Sequence, residues 1–230
     1  LVLDSGSVDR TVEFARAGGA RVEYRAFDNY PNQRNAAIEM ARGDWIFFID
    51  ADERATPAFG QELLAQMARA DERRARGEPA CVGFWVPRRS IIFGKWIRYT
   101  GWSPDFQPRG LKKGFGQFDP KREVHELLVW DGDAGYLSEP LTHYNYETLA
   151  QFRGKQIAYT RYEARVWFEE GKRARARGFI GQPLREFFRR YVSLQGWRDG
   201  AHGLWLSGLM AYYAFVRQKL LWQMNQSVVK

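Results

Sequence analysis

Two short apolar runs that each end in an acid constrain this chain most. Leu1-Val2-Leu3 leads into Asp4, and Trp45-Ile46-Phe47-Phe48-Ile49 leads into Asp50. Runs of this length bounded by polar residues are too short for helices and read as buried strands. Between them, Asp9 or Thr11 caps a helix through Ala17, which Gly18-Gly19 stops. Arg21 to Arg25 alternates as a strand. Ala36, Ala37, Met40 and Ala41 fall at helical spacing before Gly43, and Thr56-Pro57 opens a helix to about Arg76. This β-α-β-α-β order predicts an open, largely parallel sheet. Ligands of such sheets collect at the carboxyl ends of the strands, where Asp4 and Asp50 stand.

The rest of the chain changes character twice. Val82 to Val86 reads as a strand, followed by Gly-, Pro- and Trp-rich loops and short strands around 123–129 and 136–143. These complete an α/β domain over 1–146. From Glu147 onward the pattern is helical, over about 147–171, 182–195 and 203–225, which makes 147–230 a helical extension. Charge follows the same division. Residues 151–230 carry 15 Lys/Arg against 5 Asp/Glu, whereas residues 1–150 carry 20 against 22. The basic, aromatic last third suits an anionic partner, a membrane surface or nucleic acid. In the membrane reading Phe187, Phe188 and Trp197 insert while Arg185, Arg189 and Arg190 face lipid phosphates. In the plainer reading the apolar stretch from Leu204 to Val216 packs on the α/β domain. The single cysteine, Cys81, excludes a disulfide framework.

Several residues carry candidate chemistry. Asp50 and Asp52, two residues apart after an apolar strand, suit a divalent cation such as Mg²⁺ or Mn²⁺, which prefers hard oxygen ligands and keeps positions open for phosphate oxygens. A polar turn that caps the next helix is the simpler alternative. Asp4, followed by Ser5-Gly6-Ser7, can accept from a nucleobase N–H or ribose hydroxyls, and the small residues allow close backbone approach. Glu126 beside His125, or Asp105 after Gly101-Trp102-Ser103-Pro104, can serve as a carboxylate base. Trp102, with Trp96 and Tyr99, either stacks on a sugar or packs its own loop. Arg109, with Lys112 and Lys113, either meets phosphates of an anionic acceptor or lies on a solvated surface. His143 is either a metal ligand or a hydrogen-bonded structural histidine.

Leu-Val-Leu-Asp-Ser-Gly-Ser-Val-Asp-Arg-Thr at 1–11, Asn-Gln-Arg-Asn-Ala-Ala at 32–37 and Asp-Trp-Ile-Phe-Phe-Ile-Asp-Ala-Asp-Glu at 44–53 resemble family 2 glycosyltransferases of the GT-A fold. Phe-Gly-Lys-Trp-Ile at 93–97, Gly-Trp-Ser-Pro-Asp at 101–105, Val-His-Glu at 124–126, Leu-Thr-His at 141–143 and Gly-Trp-Arg-Asp-Gly-Ala-His-Gly at 196–203 are similar to one branch, the bacterial lipopolysaccharide inner-core β-glucosyltransferases. The resemblance implies a GT-A-like open mixed sheet flanked by helices, whose first strand and helix are expected before Leu1. A molecule that truly began at Leu1 would be an inactive, truncated relative.

It implies residue roles too. Asp4, Ser5, Gly6, Arg34, Asp50 and Asp52 would bind the nucleotide sugar, and Asp50, Asp52 and His143 would hold the divalent cation. Glu126 would be the catalytic base, with Asp105 its competitor, and Trp102 and Arg109 would meet the acceptor. The implied reaction is inverting transfer of a sugar, glucose above all, from a UDP-sugar to a lipid-linked saccharide. Its implied place is the inner face of a bacterial inner membrane, with peripheral contact to anionic lipid and no nucleic-acid partner. Two other classes stay open on residues alone. A haloacid-dehalogenase-type phosphatase also places D-x-D after an apolar strand, although Glu53-Arg54 stands where a Gly-Thr is usual. A nucleic-acid-binding module fits the basic composition.

Overall fold

The structure, a computed structural model, describes residues 1–120 and 127–227. The chain opens with strand β1 (Val2–Asp4), helix α1 (Thr11–Ala17), β2 (Val22–Tyr24), α2 (Tyr30–Met40), β3 (Trp45–Phe47), β4 (Glu53–Arg54) and α3 (Pro57–Ala75). Local chemistry starts these helices. Asn29 and Thr56 cap α2 and α3, accepting from the backbone N–H of Asn32 at 2.9 Å and of Phe59 at 3.1 Å. Seven strands follow: β5 (Gly83–Ile92), β6 (Lys95–Trp96), β7 (Phe106–Lys112), β8 (Gly116–Phe118), β9 (Leu128–Trp130), β10 (Ala134–Tyr136) and β11 (Leu141–Tyr146). Helices α4 (Leu149–Glu169), α5 (Gly178–Phe188) and α6 (Ala201–Ser227) complete the chain. Arg189–Ser193 extends α5 as a π turn.

These elements form two compact units. The first comprises Leu1–Ala51, Ala55–Pro87 and Phe106–Pro140; the second comprises Asp52–Arg54, Arg88–Asp105 and the chain from Leu141 onward. Strand β5 supplies its first half to one and its second half to the other. In the first unit β1 and β2 pair in parallel, Val2 opposite Val22. Strand β3 pairs antiparallel with β7, Ile46 opposite Leu111, and β5 lies between antiparallel β7 and parallel β10. The expectation of a largely parallel sheet is therefore corrected to a mixed one. The β3–β7 register puts Ile46 and Leu111 into one apolar cluster with Phe48, Phe118 and Leu128. That burial, about 1.5–3 kcal/mol per large side chain, selects the antiparallel partner.

The second unit is also mixed. Strand β11 runs parallel to β5 and antiparallel to β4, with His143 opposite both Ser90 and Glu53. Its core joins Ile92, Ile97, Tyr146 and Phe152 to Leu206 and Tyr213 of α6. Thr148 and Gln151 cap α4 reciprocally. The mixed α/β arrangement and the C-terminal helices are those expected of a GT-A-like fold with a helical extension. No helix among the described residues is long and apolar enough to cross a membrane.

Candidate active site

In the first unit the acidic tips of two strands are tied to one helix. Gln33 Nε2 of α2 donates to Ser5 Oγ at 2.9 Å, and the next residue, Arg34, donates to Asp50 Oδ1 at 2.9 Å. Asp50 Oδ2 accepts from Arg109 Nη2 at 2.5 Å. Burial opposes charge on Asp50, but Arg109 and Arg34 outweigh it and hold the carboxyl below the usual carboxylate range. Both oxygens are thus engaged by guanidinium groups, whose positive charge opposes a cation at Asp50. Arg109, expected on the acceptor side, is only 5% exposed and faces Asp50 instead.

Asp4 shapes its own loop. Its carboxylate accepts from the backbone N–H of Gly6 at 2.9 Å, that of Ser7 at 3.1 Å, and Ser7 Oγ at 2.5 Å. The Ser7 hydroxyl, with the Gly6 amide, lowers the pKa of Asp4. Gly6 sits at φ +98°, which a residue with a Cβ rarely adopts. Ser5 and Gly6 therefore present exposed backbone beside an ionised carboxylate.

In the second unit Asp52 meets His143. Imidazole Nε2 lies 3.4 Å from Asp52 Oδ2, and the Tyr144 N–H donates to the Asp52 carbonyl at 2.9 Å. The His143 side chain holds the Asp52 carboxyl below its usual range. His143 is buried, and its Nδ1 has no hydrogen-bond partner. Beside it in the ladder, Glu53 is buried 3.5 Å from Arg88 Nη1, and Arg88 also closes on Asp105 Oδ2 at 2.7 Å. Sequence reading missed Arg88. Its signal was a charge on the inward face of β5, in step with Val86, Ser90 and Ile92. Trp102, a candidate for stacking on a sugar, packs edge-on against Tyr146 at 5.9 Å beside the core. The other candidate base, Glu126, lies outside the described residues.

Among the described residues no three His, Cys, Asp or Glu side chains form a metal-ligand set. The structure brings Asp52 to His143 and leaves Asp50 to its two arginines.

A model of glycosyl transferase family 2 matches residues 1–118, just over half of the chain. The chain belongs to glycosyltransferase family 2. It is 30% identical over 234 residues to the lipopolysaccharide core biosynthesis glycosyltransferase LpsC of Rhizobium meliloti, a match covering 97% of this chain and 82% of that protein. An uncharacterized glycosyltransferase of Rickettsia bellii is 24% identical over 227 residues, covering 94% and 74%. Among solved structures, residues 1–349 of S. aureus TarS align over 99% of this chain and 80% of that one, at 11% identity and a TM-score of 0.40. Family 2 membership replaces the phosphatase alternative.

Proposed function

We propose that this glycosyltransferase moves glucose from UDP-glucose to a lipid-linked saccharide, with inversion, during assembly of a lipopolysaccharide core. Similarity to LpsC supports the acceptor class. The observation that carries the reading is the Asp52–His143 pair, directly after the apolar strand β3 and the Asp50 clamp.

A divalent cation, Mg²⁺ or Mn²⁺, fits that pair. A carboxylate oxygen suits either ion and an imidazole nitrogen suits Mn²⁺ better than Mg²⁺, and two protein ligands leave positions for diphosphate oxygens. When bound it neutralises charge on the departing nucleoside diphosphate. The chain's own residues do the rest. The Ser5–Gly6 backbone and the Asp4 carboxylate take the nucleoside, and Arg34, fixed by Asp50, adds positive charge beside it. Glu126 takes the proton of the attacking acceptor hydroxyl. Asp105 suits that task less, because its Oδ2 already accepts from Arg88 Nε at 2.8 Å. The hydroxyl oxygen then displaces the nucleoside diphosphate from the opposite face of the anomeric carbon, which inverts it.

A membrane surface fits the second unit. Ile180, Leu184, Phe188 and Val192 recur every fourth residue along α5 and its π turn, and all are exposed. Arg185 and Arg189 flank that stripe. This modifies the expected contact: Phe187 stacks on Tyr191, and Arg190 is turned inward to Glu186 and the Thr100 carbonyl. An apolar stripe edged with arginines suits the boundary of an anionic leaflet, which supports peripheral binding, on our reading at the cytoplasmic face of the inner membrane.

Asp52→Asn tests the core of the reading. Transfer from UDP-glucose should fall about 100-fold or more, with Mn²⁺-dependent donor binding lost in calorimetry. Undiminished donor affinity would sink the role of Asp52. Leu184→Glu with Phe188→Glu should abolish flotation with anionic vesicles; retained flotation would exclude α5 as the contact.

A further inference from the structure

A second site stands apart from the carboxylates. The loop 171–177 joins α4 to α5, and with α6 these elements enclose an open cavity of about 560 Å³. Its wall carries Lys172, Arg173, Arg175 and Arg185, and no lining residue is acidic. Glu170 pairs with Lys172 at 2.6 Å, but no carboxylate among the described residues pairs with Arg173 or Arg175. The loop that presents them is pinned to α6. Asn225 Oδ1 accepts from the Ala174 N–H at 2.8 Å, and Asn225 Nδ2 donates to the Lys172 carbonyl at 3.4 Å. Four cations are therefore concentrated on a fixed wall, which raises the local potential and favours an anion.

The cavity also holds an unpaired polar group. Gln218 of α6 lines it and is only 5% exposed, yet its Oε1 is sealed from solvent without a hydrogen-bond partner. Gly178 leaves room for this amide, because a Cβ there would lie 2.6 Å from Gln218 Nε2. Leaving a buried acceptor unpaired costs about 1–3 kcal/mol, so a partner is owed. Once the amide rotates out toward the cavity, a phosphate group there supplies one: a protonated phosphate oxygen donates to Oε1, or Nε2 donates to an unprotonated one. The other phosphate oxygens match the paired N–H groups of guanidinium.

We propose that this cavity binds a phosphate group. The proposal does not depend on the reading of the carboxylate site. The same chemistry is carried by a lipid headgroup and by a soluble phosphate, and the test separates them. One arm measures pyrophosphate binding by calorimetry in EDTA, and the other measures flotation with phosphatidylcholine vesicles containing phosphatidic acid. Pyrophosphate should bind saturably to the wild type and equally well to Asp52→Asn. Arg173→Gln with Arg175→Gln, both exposed loop positions, should weaken binding about tenfold or more at an unchanged melting temperature. Gln218→Met should weaken it too, and rescue by Gln218→Asn or Gln218→His would separate a polar contact from packing. Pyrophosphate binding without variant-sensitive flotation assigns a soluble ligand; variant-sensitive flotation alone assigns a headgroup. Absence of both, or a double arginine variant equal to wild type in both arms, overturns the proposal.

Discussion

The first unit spends arginines on carboxylates, whereas the second leaves several of them to solvent. Arg34 and Arg109 close on Asp50, and Arg25 closes on Asp28 at 2.7 Å. Arg173 and Arg175, by contrast, stand on an exposed loop without an acidic neighbour among the described residues. The aromatic residues do not divide this way, since Phe14 and Phe27 of the first unit are exposed and Tyr146 and Phe152 of the second are buried; still, Phe188, Trp197, Trp205 and Trp222 of the second lie about half open to solvent. A paired charge fixes geometry. An unpaired charge beside exposed rings is available to something outside the chain.

Backbone contact sharpens this comparison first, because it gives the largest effect. A Cβ on Gly203 of α6 would lie 1.8 Å from the Gly196 carbonyl oxygen, and one on Gly83 of β5 would lie 2.0 Å from Trp130 Nε1. The obstacle in the second unit is main chain, which cannot rotate away; in the first it is an indole, which can. Gly203→Ala should therefore cost above about 3 kcal/mol, and Gly83→Ala less, in urea unfolding. The reverse order would show that the helical unit yields more easily than its packing suggests.

The Asp50 clamp comes next. Arg109→Met removes a buried guanidinium and leaves Asp50 with Arg34 as its remaining arginine. The expected loss is about 2 kcal/mol, the scale of a charged hydrogen bond. Combining it with Asp50→Asn should cost less than the two single losses added, because both remove one interaction. Strict additivity would mean that Arg109 stabilises the fold by packing rather than by its pair.

Much of this architecture was legible in the residues. The helix opened by Thr56-Pro57 runs to Ala75 because capping acts locally, whereas the strand read over Trp45 to Ile49 stops at Phe47 and leaves Ile49 exposed. Strand β7 was hidden. Phe-Gln-Pro-Arg-Gly-Leu-Lys contains proline and glycine, which weaken a strand pattern, and the ladder shifts register where Pro108 meets Trp85. Arg109 was therefore read as meeting an acceptor phosphate or lying on a solvated surface, not as a partner of Asp50. Helix α2 begins at Tyr30, earlier than its alanine spacing suggested, since Asn29 caps it ahead of Pro31. The Asp52–His143 and Arg88–Glu53 contacts depend on β11 pairing with both β4 and β5, and no local pattern records a pairing between segments so far apart in sequence.

The smallest expected effect tests one of the exceptions within the second unit, where Glu186, like Glu53 and Asp105, does pair with arginine. Its carboxylate accepts from Arg189 at 2.8 Å and Arg190 at 2.6 Å. Burial raises its pKa, but the two arginines more than reverse that and bring it to about 2. The folded value is below the ordinary 4.5, so the pair stabilises the fold above about pH 4.5 and that contribution disappears as pH falls toward 2. Both partners are one helical turn away, and Arg189 is half exposed although Arg190 is mostly buried, so the stabilisation is about 1–2 kcal/mol. Glu186→Gln should lower the melting temperature at neutral pH, and the gap to wild type should close between pH 4.5 and 2. Arg190 also donates to the Thr100 carbonyl at 2.6 Å, so the variant should loosen that contact and speed exchange of nearby amides. A gap that stays constant with pH would assign the effect of Glu186 to packing and remove this exception to the contrast between the units.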